Sequence, residues 1–231
     1  MHKCESLKIS RLPLTCGLLT LLSYHLAYLL AAASGHVEWC VPYFQGCSSI
    51  SAVGRQPPEE LVFKGLIICG LSLMVLVWVV NHQWLKLLGE TGHYRMAVIT
   101  ALGISGALML LIYVLALGEY GNTYASMRRI GVNLGAGFSY LAQLLMYGVL
   151  RQIRPQVSVR LYRYWSIQVW LVLVIGIGNV ICKLIIPEPV YDAYLEDSFE
   201  WILITLLGIY YLMLAQAWRI NYSGKSQKIE R

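Results

Sequence analysis

"GRQPPEELVFKGLIICGLSLMVLVWVV", residues 54–80, is the stretch whose reading decides the fold. From Leu61 to Val80 it carries one charge, Lys64, in an otherwise apolar run. About twenty mostly apolar residues cross the hydrocarbon core of a bilayer as a helix. A barrel strand would take about ten and would alternate polar with apolar residues. The run is continuous, so it reads as a membrane helix. The residues ahead of it read as its start. Pro57 and Pro58 fit a first turn, where the missing N–H is not needed. Glu59 and Glu60 sit at the positive end of the helix dipole. Lys64 follows Glu60 by four residues, the favourable order for a side-chain pair.

The rest of the chain repeats this theme. Of its 231 residues 58% are hydrophobic and 13% are charged, against about a quarter charged in soluble domains. Mean hydropathy is +0.59. Six stretches are long enough to span: Leu12–Ser34, Leu61–Val80, Met96–Ala116, Gly131–Leu150, Trp165–Ile186 and Trp201–Trp218. The expected architecture is all-α, a single six-span membrane domain over residues 1–231. The N-terminal run, basic residues followed by apolar ones and "LLAAASG", resembles a signal peptide, but its apolar part exceeds the usual 7–15 residues. It is expected to stay as the first span.

Lys and Arg orient the bundle. Lys3, Lys8, Arg11, Lys86, Arg95, Arg151, Arg154, Arg160, Arg163, Arg219, Lys225, Lys228 and Arg231 fall on one side. Arg55, Lys64, Arg128, Arg129 and Lys183 fall on the other. The richer side is cytoplasmic by the positive-inside rule, which puts both termini in the cytoplasm. The net charge of +6 is therefore a topology signal, and no nucleic-acid partner is expected. The lack of eukaryotic sorting signals favours a bacterial inner membrane over a plasma membrane or an endomembrane.

The first outer loop, Gly35 to Glu60, is the longest connection, and loops of that length tend to be functional. Cys40 and Cys47 in it either close a small disulfide loop or stay free. Charged residues gather at the same membrane edge: Arg55, Glu59, Glu60, Lys64, Lys183 and Glu200, beside the acidic connection holding Glu188, Asp192, Glu196 and Asp197. Charge at membrane depth is costly and is usually paired or functional. A lipid headgroup would meet both signs there, with Arg55 suited to phosphate; snorkelling and mutual pairing are the alternative.

Inside the spans, His25 is a functional candidate or a neutral imidazole bonded to another helix. Asn133, Gln143, Gln168 and Asn179 are the available amide partners and the expected polar glue. Gly131 with Gly135, Gly103 with Gly106, and Gly176 with Gly178 read as close-packing positions. Trp39, Trp84, Trp165 and Trp201 near span ends read as interface aromatics. Chemistry leaves little trace. GxSxG, HExxH and P-loop patterns are missing from the sequence. His36 with Ser48, Ser49 or Ser51 is the one Ser–His combination open to the outer loop. His82 and His93 lack a third ligand, so neither metal nor other cofactor is expected.

"ISAVGRQPPEELVFKGL" resembles the first-loop signature of the DRAM-like family, which reads approximately Ile-Ser-Asp-x-Gly-x-x-Pro-Pro-Glu-x-x-x-Phe. The family takes in damage-regulated autophagy modulators, the FGF-receptor activating protein, post-GPI-attachment lipid-remodelling proteins and the yeast suppressor of four-kinase. The matching residues are Ile50, Ser51, Gly54, Pro57, Pro58, Glu59 and Phe63; Ala52 stands where the family has an acid. Glu200-Trp201 is similar to the opening of the family's last span. The resemblance implies work on membrane lipids, their remodelling or distribution, with no settled catalytic residues. The leading expectation is a protein that binds a lipid headgroup at its outer side. The alternatives are a lipid-remodelling hydrolase or acyltransferase, and a regulator of a membrane protein partner.

Overall fold

The computed structural model describes residues 2–152, 159–188 and 195–229, with side chains placed over 9–152, 159–188 and 195–219. Arg154, Asp192 and Arg231 of the charge pattern lie outside the described residues. Among the described residues the fold has six long helices and two single-turn ones: α1 (His2–Ala33), α2 (Pro42–Gln45), α3 (Ile50–Val53), α4 (Glu59–Leu87), α5 (His93–Leu115), α6 (Asn122–Gln152), α7 (Val159–Ile185) and α8 (Glu196–Ile229). No strand occurs among the described residues.

Five of the helices are long and apolar enough to cross a membrane: α1 from Ile9, α4, α5, α7, and α8 up to Arg219. The remaining stretch, Gly131–Leu150, falls in α6, 31 residues long. Asn133, Ser139 and Gln143 dilute its apolar run, so it falls short of the others. Leu14, Leu18, Leu22, Leu26 and Leu29 of α1 stay exposed. Their spacing of three and four places them on one helix face, as a lipid-facing stripe requires.

The long helices form a ring with one outlier. α1 packs on α4 and α8, α4 on α5, and α5 on α6, while α7 lies outside, across α6 and α8. Between apolar helices in lipid, close packing supplies the attraction that water supplies elsewhere. The α5–α6 pair shows it. A methyl on Gly131 would come within 2.8 Å of the Met109 carbonyl, and one on Gly135 within 2.7 Å of Leu110. Across the same seam Gly106 sits against Ser139, and where α5 meets α4 Gly103 takes the Trp78 indole of α4. Gly176 and Gly178 differ from the expectation: nothing lies within 4 Å of a methyl at either. They sit where α7 has left the bundle.

Two other expectations change. The prolines stand just ahead of α4, with Pro58 as its N-cap and a cis bond between Pro57 and Pro58. Trp84, Trp165 and Trp201 are buried at 1–2% exposure, and of the four boundary tryptophans Trp39 is the exposed one. A ring against other helices buries more area than one laid in the interface, so packing takes these three.

At one end, here called the loop end, the first loop folds back over α1 and α8. Cys40 and Cys47 are joined as a disulfide, their Cα atoms 6.6 Å apart. The Tyr28 hydroxyl accepts from the Cys40 N–H at 2.8 Å and donates to its carbonyl at 2.7 Å. Trp201 donates its indole N–H to the Ser48 carbonyl at 2.8 Å. The rings of Tyr24, His25, Tyr28 and Tyr43 meet Trp201 edge-on at 5.4–5.8 Å, the arrangement aromatic quadrupoles prefer. At the opposite end, Arg95 grips the Glu90 carboxylate at 2.6 Å and Gln152 at 2.7 Å, tying the α4–α5 turn to α6.

Candidate cavity and its loop-end mouth

The ring encloses a cavity with about 60 Å³ open to the centres of water-sized occupants. One water needs roughly 10–15 Å³ on that measure, so the space has room for more than one. α1, α3, α4, α5, α6 and α8 line it; no lining residue comes from α7. Phe63, Ile67, Leu71, Met74, Leu110 and Ile204 make its wall apolar. That wall follows from α4: Phe63, Ile67, Leu71 and Met74 recur at helical spacing and turn one face inward.

The polar groups of the cavity are few and have definite places. Glu200 stands at the loop end, one turn above Ile204 on α8, and the Ile50 backbone N–H donates to its carboxylate. Tyr113 of α5 lies near enough for its hydroxyl to feel the charges of Glu200, Arg55 and Arg128. The Tyr113 hydroxyl is buried without a hydrogen-bond partner among the described residues, as is the Ser139 hydroxyl deeper in. A buried polar group left unpaired costs about 1–3 kcal/mol. Both residues line the cavity. Toward the opposite end, Gln143 donates to the Leu207 carbonyl at 3.2 Å and accepts from Gln168 at 3.1 Å. Gln168 also reaches the Leu206 carbonyl at 3.2 Å, so the two amides bolt α6, α7 and α8 together.

The charged residues expected to converge at this edge are divided between places. Arg55 donates to the Ser51 hydroxyl at 3.1 Å, and its charge reaches Glu200 and Asp197. Glu60 and Lys64 pair with each other at 2.6 Å. Lys183 meets Glu196 at 3.3 Å, out where α7 ends. Glu59 is 1% exposed and takes His36 Nδ1 on one oxygen at 2.6 Å; its other oxygen has no partner among the described residues. Glu59 is thus buried against His36 of the first loop. Arg128 closes the end of α5 by donating to the carbonyls of Ala116 and Glu119.

The intramembrane polar residues also sort themselves. His25 bonds the Leu21 carbonyl through Nδ1 at 2.7 Å and the Tyr43 hydroxyl through Nε2 at 2.7 Å. Its partner is thus a loop tyrosine, where an amide of another span was expected. Tyr43 and Tyr24 both reach the Thr205 hydroxyl, at 2.8 and 3.0 Å. Asn133 is exposed on α6, so it glues nothing within the bundle. Asn179, on the part of α7 beyond Gly176, is half-buried. Sequence reasoning missed Tyr113, Ser139 and the His36–Glu59 pair. Tyr113 and Ser139 carry no sequence signal, being ordinary residues until helices from different parts of the chain are brought around them. His36 and Glu59 are 23 residues apart, and Glu59 was already absorbed by the helix-start reading. No group of three His, Cys, Asp or Glu fit for a metal occurs among the described residues. His36 bonds none of Ser48, Ser49 and Ser51; Ser49 caps α3 instead.

The family described as Frag1/DRAM/Sfk1/Cwh43P N-terminal domain matches residues 8–216. No curated protein matches the chain, and no solved structure does.

Proposed function

The chain belongs to the Frag1/DRAM/Sfk1/Cwh43P N-terminal domain family of membrane proteins, and on that premise we propose that it handles membrane lipid, seating a headgroup at the mouth of its cavity and an acyl chain inside. The observation that carries this reading is the cavity itself: an apolar interior ending in the Glu200 carboxylate and the unpaired Tyr113 hydroxyl. Glu200 accepts hydrogen bonds from an amine or hydroxyl of the headgroup. Arg55 and Arg128 lie on the same side for phosphate, which guanidinium holds with two parallel hydrogen bonds. The role in the cell is then remodelling or distribution of lipid. α6 is the sixth span in this reading, because the polar residues Ser139 and Gln143 that lower its hydropathy are turned inward, at 3% and 0% exposure. Six spans with the basic ends together place both termini in the cytoplasm and the cavity mouth outside. A bacterial inner membrane is the proposed location.

The experiment is native mass spectrometry of the purified protein. Phospholipid should accompany the wild type. Glu200→Gln or Arg55→Ala should lower occupancy about tenfold or more, the loss of one charge-assisted hydrogen bond of about 1.5–3 kcal/mol. Equal occupancy in all three proteins contradicts the reading.

A second reading rests on the His36–Glu59 pair. A buried carboxylate fixes the imidazole by Nδ1, which leaves Nε2 to serve as a general base. Water deprotonated there would attack a lipid ester and release a fatty acid and a lysolipid. Fatty-acid release that stops in His36→Gln favours this reading, and lipid that stays intact removes it.

A further inference from the structure

α6 and α7 run antiparallel, and their contacts advance in steps of seven residues. Tyr147 meets Tyr162, hydroxyls 2.9 Å apart and rings stacked at 5.4 Å. Seven residues along each helix, Tyr140 donates to the Val169 carbonyl at 3.1 Å. The next step in the same register sets Asn133 opposite Gly176. There the contact ends: Asn133 is exposed, and a methyl on Gly176 would meet nothing within 4 Å. Each step is two turns, about 10 Å. The seam is therefore zipped over the half toward the cytoplasm and open over the outer half.

The opening leads somewhere. Val132, beside Asn133, lines the cavity, and α7 supplies none of the lining. The lining residues Val132 of α6 and Glu200 and Ile204 of α8 belong to the two helices that α7 packs across, and a methyl on Gly176 of α7 would meet nothing within 4 Å. Tyr113 and Ser139, 6% and 3% exposed, line the same cavity, and their hydroxyls have no partner among the described residues. α7 does not drift off altogether, since Lys183 holds Glu196 of α8 at the outer end. An amide such as Asn133 standing at hydrocarbon depth on an unclosed seam is costly unless polar atoms pass it or stop there.

We propose that the open outer half of the α6–α7 seam is a lateral portal through which a phospholipid of the outer leaflet enters the cavity. The headgroup passes Asn133 and settles at Glu200 and Tyr113; one acyl chain follows into the apolar wall. The source is the bilayer, because a water-borne ligand has no reason to enter through an apolar slot facing lipid. This inference rests on the lipid reading of the preceding section, and it adds the route.

The test clamps the seam at two heights. Asn133→Cys with Gly176→Cys, joined by a short bifunctional thiol reagent, closes the outer half. Tyr147→Cys with Ser166→Cys, whose hydroxyls lie 3.2 Å apart, clamps the inner half and leaves the gap. Each protein is reconstituted into vesicles of phosphatidylethanolamine and phosphatidylglycerol. Uptake of a nitroxide-labelled phosphatidylethanolamine from the outer leaflet is then followed. The outer clamp should slow uptake about tenfold or more, because entry through an opening is limited by that opening, and reduction of a cleavable linker should restore it. The inner clamp should leave the rate unchanged. Equal rates in the outer-clamped and unclamped proteins, with lipid still bound, overturn the portal and leave the lipid reading standing. No uptake by the unclamped protein overturns both.

Discussion

Glu90 shows how one carboxylate can be read from its surroundings. It is 7% exposed and takes Arg95 and the Gly92 N–H on one oxygen. Burial alone would raise its pKa, but the hydrogen bonds from Arg95 and Gly92 and the charge of Arg95 outweigh it and hold the carboxyl below its usual range. A group depressed in the folded state adds stability that is complete above the ordinary carboxylate pKa of about 4.3 and is lost as pH falls through the lower folded value. Glu90→Gln should therefore lower the melting temperature at neutral pH, by about 1–3 kcal/mol in stability. It should also flatten the acid side of the stability curve, as thermal unfolding at several pH values would report. A melting temperature equal to wild type across the range contradicts the assignment. Trp201 makes a second case. Trp201→Phe keeps the ring and loses the bond to Ser48, about 1 kcal/mol; Trp201→Ala also opens a cavity and should cost about 3–5 kcal/mol. At this scale the sequence was partly legible. The Glu60–Lys64 pair follows from spacing along one helix. Glu59 with His36 does not, because their meeting depends on how the first loop folds back.

Among the elements, α6 is the instructive one. Its mixed composition hides a helix that is as long as the others, because hydropathy averages a lipid face with a core face. Its glycines were legible: Gly131 and Gly135, four apart, let α5 approach to backbone contact. Gly176 and Gly178 carry a similar pattern and pack on nothing, so small-residue spacing announces that a helix can approach closely, and the partner must still be there. Gly131→Leu should wedge α5 from α6 and cost about 1–3 kcal/mol, whereas Gly176→Ala should be neutral or slightly stabilising. Unfolding of the two variants in detergent, side by side, makes the comparison. Similar losses in both would mean that α7 packs along its whole length.

For the whole molecule, an all-helical membrane protein was readable from continuous apolar runs, and the family from Ile50 to Phe63 with Glu200-Trp201. The cavity was not, because a ring of helices around a space leaves no mark in a linear pattern. The six-span topology makes its own prediction. Trp39→Cys, in the exposed first loop, should react with a membrane-impermeant maleimide on intact cells, and Ser223→Cys, near the C-terminal end of α8, only after permeabilisation. Five spans would instead put the loop and the C-terminal tail on the same face. The most direct test of the central claim is a cryo-electron microscopy map of the protein in lipid nanodiscs. An elongated density should run from Glu200 and Tyr113 down between Phe63 and Ile204. A collapsed cavity, with the Tyr113 hydroxyl bonded to a neighbouring side chain and no density beside Glu200, would contradict it.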